Sequence, residues 1–226
     1  LIALVECLSL QTPPTWVEAA QVLSPLMQRS NWSAEAFFPN ALGLLQHPSL
    51  ASPLLDLANF LYRKELTSQH PANNQVEMLR ILLGEVVGRL GAFEDDPRTF
   101  RTEVPIVQAR LAEAVALAVS LCDALALMGD LSSIGKLHQA MELRHRRVQS
   151  EAAGALARLG DDQGKARLLE LLKEPAARLR VIQYAEELGF GEEVESEFRT
   201  ANATSEAELA LCLSQPHQMG VPPTHV

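Results

Sequence analysis

The sequence predicts an all-α fold, an α–α superhelix of stacked antiparallel helix pairs, on three observations. Aromatic residues supply only 5% of a chain that is 47% hydrophobic, so its core must be built from aliphatic side chains on strong helix formers. Helix start and stop signals recur along nearly the whole 226 residues, and strand signals are almost absent. A glycine followed by an acid returns at a 31-residue step, in Gly129-Asp130, Gly160-Asp161 and Gly191-Glu192.

The elements follow in order. A short apolar segment, Leu1 to Leu10, is closed by Pro13-Pro14. Thr15 and Glu18 form a capping box for the next helix, which Pro25 bends or ends. Two helices, Ser33 to Gln46 and Ser49 to Leu66, are separated by His47-Pro48. The polar stretch Thr67 to Gln75 is a loop, and a helix from Val76 to Leu90 is capped by Gly91. Phe93 to Thr102, with Asp95-Asp96-Pro97, is the expected boundary between residues 1–100, read as diverged repeats or a bundle, and a repeat region over 101–213.

From Pro105 to Met128, Leu111, Val115, Ala118, Cys122 and Leu125 make one apolar stripe, with Leu117, Leu121 and Ala124 beside it. A helix apolar on two sides is buried between neighbours. It is not a membrane span, because Glu113 and Asp123 would each cost about 2.5–3.5 kcal/mol at a bilayer centre.

Each repeated glycine suits a left-handed helix cap, and the acid after it suits the start of the next helix. In the clearest unit Val148, Ala152, Ala155, Leu156 and Leu159 form one face, and Ala166, Leu169 and Leu172 form that of the partner helix. Leu179, Ile182, Ala185 and Leu188 continue the stack. Ser205 and Glu208 read as another capping box, and 214–226, rich in proline and glycine, as a linker-like tail.

The run from Arg146 to Asp161, in which Arg147-Val148 precedes an Ala-rich helix ending in Leu159-Gly160-Asp161, resembles the short HEAT-like repeat, including the version found in phycobilin lyases. The likeness is strongest over 146–173. It implies a HEAT/armadillo-like solenoid, and through the lyase subtype a small-molecule or chromophore-handling role as the alternative function.

Function is less legible. A formal charge of −9 argues against a long nucleic-acid track or an anionic membrane surface and favours a protein partner. The same charge and the few aromatics argue against the HEAT-like DNA glycosylases, whose base pocket needs a basic groove. Cys7, Cys122 and Cys212 lie singly in apolar helical contexts, which fits buried thiols in a reducing, cytoplasmic setting. The chain starts at Leu1 with no charged n-region and reads as an excised fragment. No nucleophile elbow, phosphate loop or zinc spacing occurs, so the reading leans to a non-enzyme with no cofactor and no metal site. The glutamates from Glu186 to Glu197 read as a solvated surface, and the sequons at Asn31 and Asn202 as chance.

The basic cluster of Arg144, His145, Arg146 and Arg147, with Arg158, Arg178 and Arg180 in adjacent units, is the candidate contact for a protein partner, lining one groove as an anion or acidic-peptide site because arginine pairs bidentately with carboxylates and phosphates. The expected function is a protein-interaction or scaffold module that uses the concave face of the solenoid.

Overall fold

A computed structural model describes residues 2–29, 32–97 and 103–214. Eleven α-helices and several short 3₁₀ turns account for the fold, with no strand among the described residues. The helices are α1 (Ile2–Leu10), α2 (Trp16–Gln28), α3 (Ala34–Ala41), α4 (Pro48–Arg63), α5 (Val76–Asp95), α6 (Val104–Leu127), α7 (Ile134–Met141), α8 (Arg146–Arg158), α9 (Asp162–Leu171), α10 (Pro175–Glu187) and α11 (Ala201–Ser214). Among the described residues no helix is long and apolar enough to cross a membrane.

Helices α2, α4, α6, α8 and α10 pack side by side in that order, and α5, α7, α9 and α11 pack against that row. Leu117, Leu121, Ala124 and Leu125 bury α6 between α4, α5 and α8, as its two apolar stripes require. Buried residues from Val5 to Val194 belong to one cluster.

Four of the row helices end in the same way. In α4, α6, α8 and α10 the chain turns at Glu65, Gly129, Gly160 and Gly189, with φ of 56°, 70°, 84° and 79°. Each turn carries the six-to-one bond of a Schellman cap: Leu66 to Leu61 at 2.9 Å, Asp130 to Leu125 at 3.1 Å, Asp161 to Leu156 at 3.0 Å and Phe190 to Ala185 at 2.9 Å. The acids after the second and third caps start the next segment, Asp130 accepting from the Ser132 amide and Asp161 from those of Gln163 and Gly164.

This corrects the repeat. Gly189, not Gly191, takes the third glycine cap, so the last step is 29 residues. The coincidence at Gly191 conceals the register, because Phe190 stands where the other units have aspartate. The cap of α4 is invisible to a search for glycine, since Glu65 adopts the left-handed conformation at a cost of about 1 kcal/mol. Glu65→Gly is therefore expected to stabilise the chain by about 0.5 kcal/mol, and Gly160→Ala to destabilise it by about 1 kcal/mol; chemical denaturation of both variants checks the pair.

Other boundaries shift for tertiary reasons. Pro25 sits within α2 without ending it. Helix α5 runs through Gly91 to Asp95 because Glu94 is anchored, its carboxylate accepting from the backbone amides of Arg144 at 2.8 Å and His145 at 3.1 Å. Those bonds hold the entry to α8, which has no side-chain cap of its own. Helix α9 buries Gly164, Leu168 and Leu171, with Leu172 at its end, while Ala166 faces solvent. Ser205 and Glu208 lie inside α11, where Thr200 instead accepts from the Ala203 amide. Of the cysteines only Cys122 is buried. The expected 93–102 boundary falls partly, Asn31 wholly, and the tail beyond residue 214 wholly, outside the described residues.

A buried histidine links the loop before α5 to the row. His70 donates from Nε2 to Asn59 Oδ1 at 2.9 Å while its Nδ1 accepts from the Ala72 amide at 3.2 Å, which is the neutral ring. Burial lowers its pKa to about 4. Between pH 6.5 and 4 the unfolded chain therefore binds the proton the native chain refuses, and stability falls as pH falls through that window. The expected loss is about 2 kcal/mol between pH 7 and pH 5. Denaturant titrations of wild type and His70→Asn at both pH values check it, the variant being flatter with pH.

Candidate functional site

The caps place residues of the row helices in register. Nine positions before the left-handed residue stand Asp56, Ser120, Glu151 and Arg180; six before it stand Asn59, Asp123, Gly154 and Gln183; two before it stand Arg63, Leu127, Arg158 and Glu187. These positions fall on one face of each helix. Together they form a polar seam running across α4, α6, α8 and α10.

The seam is held by pairs that cross between helices. Ser120 donates to Asp56 at 2.6 Å and shares a 2.9 Å hydrogen bond with Ser52, while Asn59 donates to the Ser120 carbonyl at 3.1 Å. Arg63 pairs with Asp123 and, at 3.0 Å, with Glu187, which also accepts from Arg158 at 2.7 Å. Glu151 accepts from Arg180 Nε at 2.7 Å and Nη2 at 3.0 Å, and from the Tyr184 hydroxyl at 2.6 Å.

Burial and charge act on these groups in opposite directions. Burial raises the Asp123 carboxyl, against the nearby Arg63. For Glu187 burial pulls upward, but Arg63, Arg180 and Arg158 outweigh it and hold the carboxyl below its usual range. Burial and the Glu151 charge push the Tyr184 hydroxyl well above its ordinary value. Asp56 keeps solvent contact although protein surrounds it on most sides; this crowding raises its carboxyl to about 6, against the Ser120 hydrogen bond and the Arg147 charge.

Beside the seam lies a groove of about 690 Å³. Its walls are single faces of three row helices: Gln108, Leu111, Ala112 and Val115 from α6, Arg146, Arg147, Ser150 and Glu151 from α8, and Ala176, Leu179, Arg180 and Gln183 from α10. Trp16 at the start of α2, His145 just before α8 and Leu211 of α11 complete it. Most of the lining is apolar, and the charged groups gather where α8 begins.

The predicted basic cluster divides here. Arg146 and Arg147 line the groove. Arg146 is paired with Glu174 at 3.0 Å. The guanidinium of Arg147 has no hydrogen bond or ion pair among the described residues, and it is exposed. Arg144 lies on the turn between α7 and α8, outside the groove lining. Arg158 belongs to the seam through Glu187. Arg178 is not a surface contact: only 5% exposed, it donates to the carbonyls of Leu172 and Ala203 and to Glu206, tying α10 to α11. Its place on the buried side of α10 follows from the cap register, which a list of arginines does not contain.

Sequence reasoning did not single out Trp16, Gln108, Glu151 or Gln183, and it placed Leu179 in the stack. The helical spacing of 108, 111, 112 and 115 and of 176, 179, 180 and 183 was the available signal, but it marks a groove only once the helices are known to be neighbours. Among the described residues no group of three His, Cys, Asp or Glu is placed to hold a metal ion. No family model, curated protein or solved structure matches this chain.

Proposed function

We propose that this chain is a protein-interaction module, a short HEAT/armadillo-like solenoid whose inner row of helices takes a partner segment in the groove between α6, α8 and α10. The observation that carries the reading is the pairing of an apolar floor with one guanidinium, Arg147, that makes no hydrogen bond or ion pair among the described residues, in a groove built from regular helices. The seam beside it is internally paired and acts as scaffold. A reducing, cytoplasmic setting agrees with three cysteines that form no disulfide.

A display library of 16-residue amphipathic helical peptides, panned against the intact chain, tests this reading. Photo-crosslinkers placed at Gln108 and at Gln183 should capture the selected peptides; selected peptides that crosslink at neither position would overturn it. The groove volume also lies in the range of small-molecule sites, which favours ligand handling as the second reading. Saturable binding of a small carboxylate amphiphile such as decanoate, without peptide binding, would favour that alternative.

A further inference from the structure

We infer that the occupant of this groove is an acidic amphipathic helix that sets one carboxylate on Arg147 and its apolar face on Leu111, Val115, Leu179 and Trp16. This rests on the interaction reading and names the chemistry of the partner. Three observations carry it.

The first is charge. The chain carries −9 overall, yet the groove gathers Arg146, Arg147 and Arg180 against one lining carboxylate, Glu151. Glu151 is committed to Arg180 and Tyr184, and Arg146 to Glu174. Arg147 acts on Asp56 through its charge, across space, but engages none of its guanidinium donors among the described residues, and these stay open to a group from outside. His145, whose pKa is lowered by burial and by Arg147, adds no competing demand for an anion at neutral pH. A planar guanidinium with free donors is the side chain that recognises a carboxylate by two bonds at once.

The second is the position of that charge. Arg147 sits in the first turn of α8, whose dipole adds positive potential where the guanidinium already stands. Of the seam carboxylates, Asp123 is paired with Arg63 and Glu151 with Arg180, and Asp56, whose carboxyl feels the Arg147 charge, stands on α4 outside the groove lining, so the open positive potential of the groove is concentrated at the α8 end. The groove therefore has a polarity along its length.

The third is shape. Helices α6 and α10 flank α8, which separates their axes by about 16–20 Å, the reach of roughly 12 residues of a crossing helix. The groove is open to solvent on one side. A compact ligand would leave much of its surface wet there, whereas a helix buries one face and leaves the other in water by design.

The experiment uses the peptides selected as above. Their sequences should be enriched in Asp or Glu at one position relative to the apolar spacing, and a fluorescein-labelled winner should bind wild type at least about tenfold more tightly than Arg147→Ala, with Arg147→Lys intermediate and Arg147→Glu weakest. The melting temperatures of Arg147→Ala and Arg147→Lys should stay close to wild type, because the Arg147 guanidinium makes no hydrogen bond or ion pair among the described residues and acts on Asp56 only through its charge. Exchange of the peptide's acid for Gln should abolish the difference between wild type and Arg147→Ala. Peptides that crosslink in the groove but show no acidic preference, or that bind Arg147→Ala equally well, would overturn this inference and leave the interaction reading standing. The absence of any groove-bound peptide would overturn both.

Discussion

Replacing Gly154 by alanine is expected to lower stability by about 3 kcal/mol, and with it the melting temperature by about 6–12 °C. An ideal Cβ at Gly154 would sit 2.3 Å from the Tyr184 ring, far inside van der Waals contact. The ring cannot swing clear. It is 1% exposed, its hydroxyl is tied to Glu151 at 2.6 Å, and the Arg180 guanidinium lies over its face, 4.3 Å from the centroid. Overpacking here must move α10 away from α8 or break that cluster. Gly88→Ala in α5 is the control: nothing lies within 4 Å of its Cβ, so helix propensity alone acts and stability rises by about 0.5–1 kcal/mol. Equal behaviour of the two variants in thermal melts would show that α8 and α10 do not pack closely enough for a methyl group at 154 to meet the Tyr184 ring.

The second large effect is expected at Glu151. Truncation to alanine leaves the buried Tyr184 hydroxyl without its acceptor and half-buried Arg180 without its counter-charge, at a cost of about 3 kcal/mol. Glu151→Gln keeps an acceptor for the hydroxyl and should cost less. In a double-mutant cycle with Arg180→Ala the two truncations should be less than additive by about 1 kcal/mol or more, since the second removes a charge the first has already orphaned. Strict additivity in urea titrations would mean that the pair is decoupled and that its geometry contributes nothing.

Both effects concern residues whose role the sequence does not announce. Gly154 reads as a weak helix residue in an otherwise Ala-rich run, and Glu151 as one charge among many on an amphipathic helix. Their importance comes from what stands opposite them on α10, 29 and 30 positions later in the chain. Arg178 and Arg147 make the converse case. Both look like exposed arginines of a basic cluster, but the guanidinium of one is bonded between α10 and α11 and that of the other makes no hydrogen bond or ion pair among the described residues, according to which way the first turn of each helix faces.

Local signals nevertheless carried much of the fold. Low aromatic content, Leu- and Ala-rich periodicity and the cap residues determined that the chain is helical, where α8 and α9 turn, and that α6 is buried on two sides, because each depends on interactions within about four residues. Tertiary structure alone decided three matters. It carried α5 through Gly91 to the anchor at Glu94, and it imposed a left-handed conformation on Glu65 where propensity asks for glycine. It also aligned Asp56, Ser120, Glu151 and Arg180 into one seam. The physical reason is the same in each: a cap or a stripe is set by neighbours along the chain, but a cross-helix pair or a groove depends on the register between helices. That register is fixed by close packing of side chains far apart in sequence, and single-residue chemistry does not encode it.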